Sequence, residues 1–288
     1  MTVIGTNVAS LRAANASTNA NAALSTAMQR LSTGQRINSA KDDAAGLAIS
    51  DTMTAQIRGM NQGIRNANDG IAMAQTAEGA LGEVSNMLQR VRELTVQATS
   101  GTYSTSDKAN MQAEVSALST QITSTLANTQ FNGNKLCDAS AGTVTAATSA
   151  PAPVAPAYST FKIQAGANAA DSVNVKFNKL TDDTTITNAT SIDLTTATNT
   201  ALATVDSALK TVSTYRAGLG AAQNQLQSAV NNLTTNSTNL TAAKSQITDA
   251  DFSSETTNLA KAQILSQAST AMLAQANQSQ QGVMKLLQ

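Results

Sequence analysis

The chain has no histidine and no tryptophan, and its 288 residues include one cysteine, three prolines, three tyrosines and four phenylalanines. Without histidine there is no HExxH zinc site, no Ser-His-Asp or Cys-His catalysis and no imidazole proton shuttle. A single cysteine excludes an intrachain disulfide and every CxxC zinc arrangement. Neither sign of charge is in surplus: Lys+Arg 18 against Asp+Glu 18 gives a formal net charge of +0. With no basic run, the phosphate contacts of a nucleic-acid binder are lacking. No stretch approaches the roughly 18 consecutive apolar residues of a membrane span. The N-terminal MTVIGTNVASLRAANAS has neither the basic nor the apolar region of a Sec signal peptide, so composition alone points to the cytoplasm. Aromatics make up 2% of the chain and the 41% hydrophobic share leans on alanine. A single globular core is therefore not expected, because aromatic side chains supply much of a compact core's burial.

What is present is helical periodicity. Pro151, Pro153 and Pro156 fall together, leaving both flanks free of the strongest helix breaker. In the second flank, alternating steps of three and four connect Leu202, Val205, Leu209, Val212, Arg216, Leu219, Gln223, Leu226, Val230, Leu233, Ser237, Leu240, Lys244 and Ile247. Ten of these fourteen positions are apolar, which predicts a coiled-coil seam on a rod of roughly 70 Å. In the first flank Ala80, Val84, Met87, Val91, Leu94 and Ala98 form one stripe, and Met111, Val115, Leu118, Ile122 and Leu126 another. SGTYSTSD (100–107) reads as the loop between them.

The extreme ends carry thinner stripes: Ile4, Val8, Leu11, Leu24, Met28 and Leu31 at the start, and Leu265, Met272, Val283 and Leu286 at the finish. Helices with so little apolar face are marginal in water. They are expected to be disordered in the free monomer and helical only against other chains. Ser39–Asp42 and Thr248–Asp251 read as capping boxes, and the adjacent acids Asp42 and Asp43 as capping groups in preference to a metal or acid/base pair.

The middle changes character. Phe131-Asn132-Gly133-Asn134 is a turn signal, while FKI (161–163) and SVNVKF (172–177) alternate in the strand manner around GANAAD. The Ala/Thr/Pro-rich 139–160 reads as an exposed loop. Cys137 reads as a small buried hydrophobe. The expected class is mainly α: a long coiled-coil-like helical rod formed by the N- and C-terminal flanks, with a small central β-hairpin region.

Several segments resemble bacterial flagellins: RLSTGQRINSAKDDAAGLAIS (30–50), QIRGMNQGIRNANDGIAMAQTAEGAL (56–81), LQRVRELTVQATSGT (88–102) and TQFNGNKL (129–136). So do RAGLGAAQNQL (216–226), NLTAAKSQITDADFSSE (239–255) and QILSQASTAMLAQANQSQQGVMKLL (263–287). The resemblance is dense over 1–136 and 200–288. It implies a non-enzymatic structural subunit, without cofactor or metal, that polymerises with itself into the extracellular filament used for swimming. It further implies a D0-like terminal coiled coil over 1–42 and 251–288 and a D1-like helical body over 43–138 and 196–250. A hairpin with a surface loop would fill 139–195, leaving little chain for outer domains. The implied partners are the flagellar export apparatus with its chaperone, the filament cap and the hook-associated junction proteins, with export unfolded through a type III channel. Some flagellins are sensed by a vertebrate Toll-like receptor through the helix matching LQRVREL; Gln89, Arg90, Leu94 and Glu114 occupy the matching positions. Contacts between neighbouring subunits are the preferred reading of those residues. A junction protein and a surface adhesin are the alternatives. The full-length match weighs against the first, and the shortage of central aromatics against the second.

Overall fold

The computed structural model of the chain describes residues 6–138, 143–145, 158–196 and 199–285. In order these form α1 (Val8–Thr33), α2 (Ala44–Thr99), α3 (Thr105–Asn128), β1 (Gln130–Phe131), β2 (Asn134–Lys135) and β3 (Thr143–Thr145). They continue with β4 (Tyr158–Gln164), β5 (Ser172–Asn178), α4 (Thr184–Thr190), α5 (Asn199–Thr248) and α6 (Phe252–Lys285). The protein is mainly helical, as the periodicity predicts. It divides into two compact units, one comprising Met1–Gln56 with Thr238–Gln288, the other Ile57–Ser237.

In the Ile57–Ser237 unit, α2 and α5 lie antiparallel, joined by Arg92–Asp206, Gln223–Glu78 and Ser237–Asn61 contacts. Every predicted seam position on α5 in this unit except the exposed Arg216 is at least half-buried, and Val205, Val212, Leu219 and Leu226 are buried. Two of the polar seam residues share one partner: Arg216 and Gln223 both reach Glu78, at 3.8 and 2.8 Å. On α2 the stripe is broader than the sequence suggests. Leu81 and Leu88, outside the predicted set, are at 2% and 0% exposure, whereas Ala80 and Met87 are half-buried. A helix covered by α3 on one side and α5 on the other buries more than one a/d seam. The predicted face of α3 holds, with Met111, Val115, Ile122 and Leu126 buried and Leu118 half-buried. Its start is a true capping box, in which Ser104 and Asp107 bond reciprocally, so 105–107 of the segment read as loop belong to the helix.

The central β element is as alternation predicts. β4 and β5 pair antiparallel from Tyr158↔Asn178 to Gln164↔Ser172, turning through GANAAD. β1 and β2 form a second hairpin whose turn residues Asn132 (φ 49°) and Gly133 (φ 80°) take the left-handed conformation that Asn-Gly favours. The turn of β4–β5 sits against α2 where that helix has glycine. A Cβ on Gly63 would lie 2.8 Å from Gly166 N, and one on Gly59 would lie 2.8 Å from Ala167 Cβ. Within 139–160, residues 143–145 are a strand paired with Tyr158–Thr160, which corrects the loop reading, because backbone pairing needs no apolar alternation. The rest of that segment up to 157 lies outside the described residues.

The other unit holds α1 against α6 together with the start of α2 and the end of α5. Both connections are tied to each other: Arg36 N donates to Thr248 O at 2.7 Å and Ala250 N to Gly34 O at 3.0 Å. Gly34 (φ 70°) ends α1 in the left-handed conformation. The two capping boxes read from sequence are displaced. Asp42 accepts from Asn38 N, Ser39 N and Ser39 Oγ within the linker, and Asp43 Oδ1 caps α2 through Gly46 N at 2.9 Å. Thr248 instead turns back to Lys244 O inside α5, and Asp251 Oδ1 caps α6 through Ser253 N at 3.0 Å.

Candidate functional site

The terminal helices carry the stripes expected to pack against other chains, and their packing decides which faces remain available. α1 and α6 run antiparallel, marked by Asn7 Nδ2 donating to Ala276 O (3.1 Å), Ser266 Oγ donating to Asn21 Oδ1 (2.9 Å) and Arg30 Nη1 at 3.9 Å from Glu255 Oε1. What they bury against each other is small: Ala13, Ala20 and Ala27 on α1, and Glu255, Ala262 and Ser269 on α6. Both series advance by seven residues, the repeat of a coiled-coil seam.

The large apolar residues point elsewhere. Leu11 is 63% exposed, Met28 55%, Ile264 66% and Met272 64%, with Val8, Leu265 and Phe252 also open. Leu24 and Leu31 are half-buried. Ile4 and Leu286 lie outside the described residues, as does the side chain of Val283. Apart from Leu24 and Leu31, the described aliphatic stripe read from sequence thus lies off the face the chain uses on itself. Alanine is the residue whose burial an aliphatic count overlooks, and a seven-residue alanine repeat was the signal available. Soluble chains seldom leave so many large apolar side chains in water without a partner for them.

The second candidate surface lies on α2 and α3. Arg90 Nε donates to Glu114 Oε1 (2.8 Å) and Nη1 to Glu93 Oε2 (3.0 Å). These bonds hold the Arg90 guanidinium in its charged form, with the Glu114 bond the largest cause. Gln89, Arg90 and Glu114 are exposed. Leu94 is not: it is 2% exposed and packs in the cluster with Val91, Ala98, Met111 and Val205. It supports the surface from beneath and offers a partner nothing to touch.

Chemistry-bearing groups elsewhere serve structure. Cys137 is buried and its thiol is pushed up to about 12 by burial, far from a reactive thiolate. The Asp183 carboxylate caps α4 through Thr185 N and also accepts from Tyr215 OH at 3.0 Å, tying α4 to α5. Burial, then the Asp183 charge, pushes the Tyr215 phenol up to about 12. Among the described residues no group of three or more Cys, Asp or Glu is placed to hold a metal ion.

Two family descriptions match the chain: "Bacterial flagellin N-terminal helical region" over residues 4–141 and "Bacterial flagellin C-terminal helical region" over 202–287. The chain is 42% identical to a flagellin of Bacillus subtilis, over 99% of each. It is also 42% identical to a flagellin of Halalkalibacterium halodurans, over 91% of this chain and 90% of that one. A solved Bacillus cereus flagellin is 28% identical with a TM-score of 0.47, covering 62% of this chain and 94% of that one.

Proposed function

The chain belongs to the bacterial flagellin family, and we propose that in the filament the outward apolar faces of α1 and α6 are covered by neighbouring subunits. It is a structural subunit that self-polymerises into the extracellular flagellar filament, the propeller of swimming motility. The observation that carries the proposal is the split between a buried alanine seam and exposed Leu11, Met28, Ile264 and Met272. Each such side chain gains about 1.5–3 kcal/mol on full burial, and more than half of its surface is still open within one chain. Alanine-to-alanine pairing leaves the terminal pair weak until neighbours arrive, which keeps the subunit from polymerising before export.

The same reading assigns 1–42 with 251–288 to the inner tube, 43–138 with 196–250 to the surrounding helical body and 139–195 to the hairpin region. Export unfolded through the flagellar type III channel with its chaperone, and contacts with the cap and hook-associated junction proteins, belong to the same reading, which the flagellin resemblance supports. Gln89, Arg90 and Glu114 form a contact surface for neighbouring subunits. A vertebrate Toll-like receptor is the other occupant the family suggests, and a silent receptor-reporter assay with purified monomer removes it.

Seeded polymerisation tests the terminal faces. Purified monomer elongates short filament seeds under the electron microscope, whereas Leu11→Ser with Met272→Ser stops elongation without altering the monomer's circular dichroism. Unimpaired growth of that double variant overturns the proposal.

A further inference from the structure

We propose that Arg30 and Glu255 set the register in which α1 pairs with α6. This rests on the pairing itself and not on its place in the filament.

At its buried positions the seam is nearly uniform, with Leu24, Leu31, Leu259 and Leu273 half-buried alongside at the same seven-residue spacing or multiples of it. Ala13, Ala20 and Ala27 meet Ala262, Ser269 and the half-buried Ala276. Displacing one helix by one seven-residue repeat sets small residues against small residues again, so apolar burial hardly distinguishes the registers. The Asn7–Ala276 and Ser266–Asn21 hydrogen bonds depend on register, but the first is only partly shielded and the second is exposed, so water replaces them at little cost.

The charge pair behaves differently. Glu255 is 8% exposed, and Arg30 is half-buried with its Nε enclosed and without a hydrogen-bond partner. At 3.9 Å the pair is loose, with Asn258 Nδ2 adding a 3.5 Å contact to Glu255. A loose, partly satisfied buried pair is a poor source of stability, and its best-attested use is to specify alignment. A slip of one repeat in one direction carries Glu255 to the level of Ala23, between Ala20 and Ala27. A slip in the other direction carries Arg30 to the level of Ala262. Either way a buried charge faces alanine without its counter-ion, which is strongly unfavourable. The observed register is the one that pairs them. Their ends also match the helix dipoles: Arg30 lies in the last turn of α1 and Glu255 in the first turn of α6.

Disulfide trapping in the full-length chain, with Cys137→Ala removing the native thiol, reads the register directly. Asn21→Cys with Ser266→Cys reports the observed alignment. Asn21→Cys with Leu259→Cys, or with Leu273→Cys, reports the two slipped ones. With Arg30 and Glu255 intact, only the 21–266 bond forms in dilute monomer. Glu255→Gln lowers its yield several-fold and raises a slipped product, and Arg30→Glu with Glu255→Arg restores the first pattern. A variant that loses every cross-link and regains 21–266 on the charge swap also supports the proposal. It is overturned if 21–266 stays the sole product in Glu255→Gln, since the Arg36–Thr248 connection would then set the register. It is equally overturned if the swap restores nothing, or if the parent chain never forms the 21–266 bond.

Discussion

Arg90 on α2 donates from Nε to Glu114 Oε1 on α3 at 2.8 Å, so two residues read as a docking surface are already each other's partners. Exposed ion pairs contribute little to folding and are screened by salt. Arg90→Ala and Glu114→Ala are therefore expected to leave the melting temperature of the chain essentially unchanged. Elongation of seeds by these variants separates the roles: slowed growth with unchanged melting means that a neighbouring subunit uses the pair, whereas unaffected growth removes it from the interface.

Leu88 and Met87 are adjacent but unequal. Leu88 is at 0% exposure in the main cluster and Met87 is only partly buried beside it. Leu88→Ala is expected to cost about 2–5 kcal/mol, the range for a cavity in a packed core. Met87→Ala is expected to cost less than half of that. Urea unfolding of the two variants measures the difference, and equal losses would mean that α2 buries the stripe read from the sequence.

Acid should weaken the cap, linker and ion-pair contacts that exposed carboxylates hold. Hydrogen bonds from the Ser104 hydroxyl and backbone hold the Asp107 carboxyl below its ordinary 3.8, those from Asn38 and Ser39 do the same for Asp42, and the Arg92 guanidinium does so for Asp206. A carboxylate depressed by folding contributes stability above the unfolded value and loses it as pH falls through the lower folded one. The parent should thus be less stable below the ordinary 3.8 than at neutral pH. Asp107→Asn should be less stable than the parent at neutral pH, and the gap should narrow as pH falls through the lowered folded value, where the parent loses the charge too. Thermal melts across that range check the sign; a gap that persists in acid contradicts it.

Cys137 should ignore thiol reagents in the native state and react fully in urea, because burial holds its thiol up to about 12. Cys137→Ala is expected to be tolerated, whereas Cys137→Ser places an unpartnered hydroxyl in the core at about 1–3 kcal/mol. Reagent kinetics and chemical denaturation report the two effects separately.

Ala20 is 5% exposed in the α1–α6 seam. Ala20→Leu forces the helices apart and should abolish amide-exchange protection across Val8–Thr33 and Phe252–Lys285 in the monomer. Protection in Ile57–Ser237 should remain. In the parent, protection of the terminal helices should already be the weakest in the chain, since alanine burial offers little.

Much of this was legible in the chain. Period and length gave α2, α3 and α5, the Asn132-Gly133 turn announced β1–β2, and alternation announced β4–β5. These signals are local, set by backbone conformation and the repeat of side chains along one element. The caps were legible in kind but not in place. Ser, Thr and Asp near a helix start all suit the role, and the bond from Gly46 N to Asp43 is settled only when the linker folds. Leu94 was readable as apolar, and only packing turned it inward from Gln89 and Arg90.

The sequence by itself determined that this is a helical structural subunit whose ends carry more apolar side chains than one chain can cover. Tertiary structure decided which of those side chains the chain keeps for itself. Ala13, Ala20 and Ala27 went to α6, and Leu11 and Met28 stayed outside. Periodicity marks a stripe without naming what lies across it, because the same spacing suits a helix of the same chain or of its neighbour. Two helices approach most closely through their smallest side chains, so the larger ones remain for a second chain.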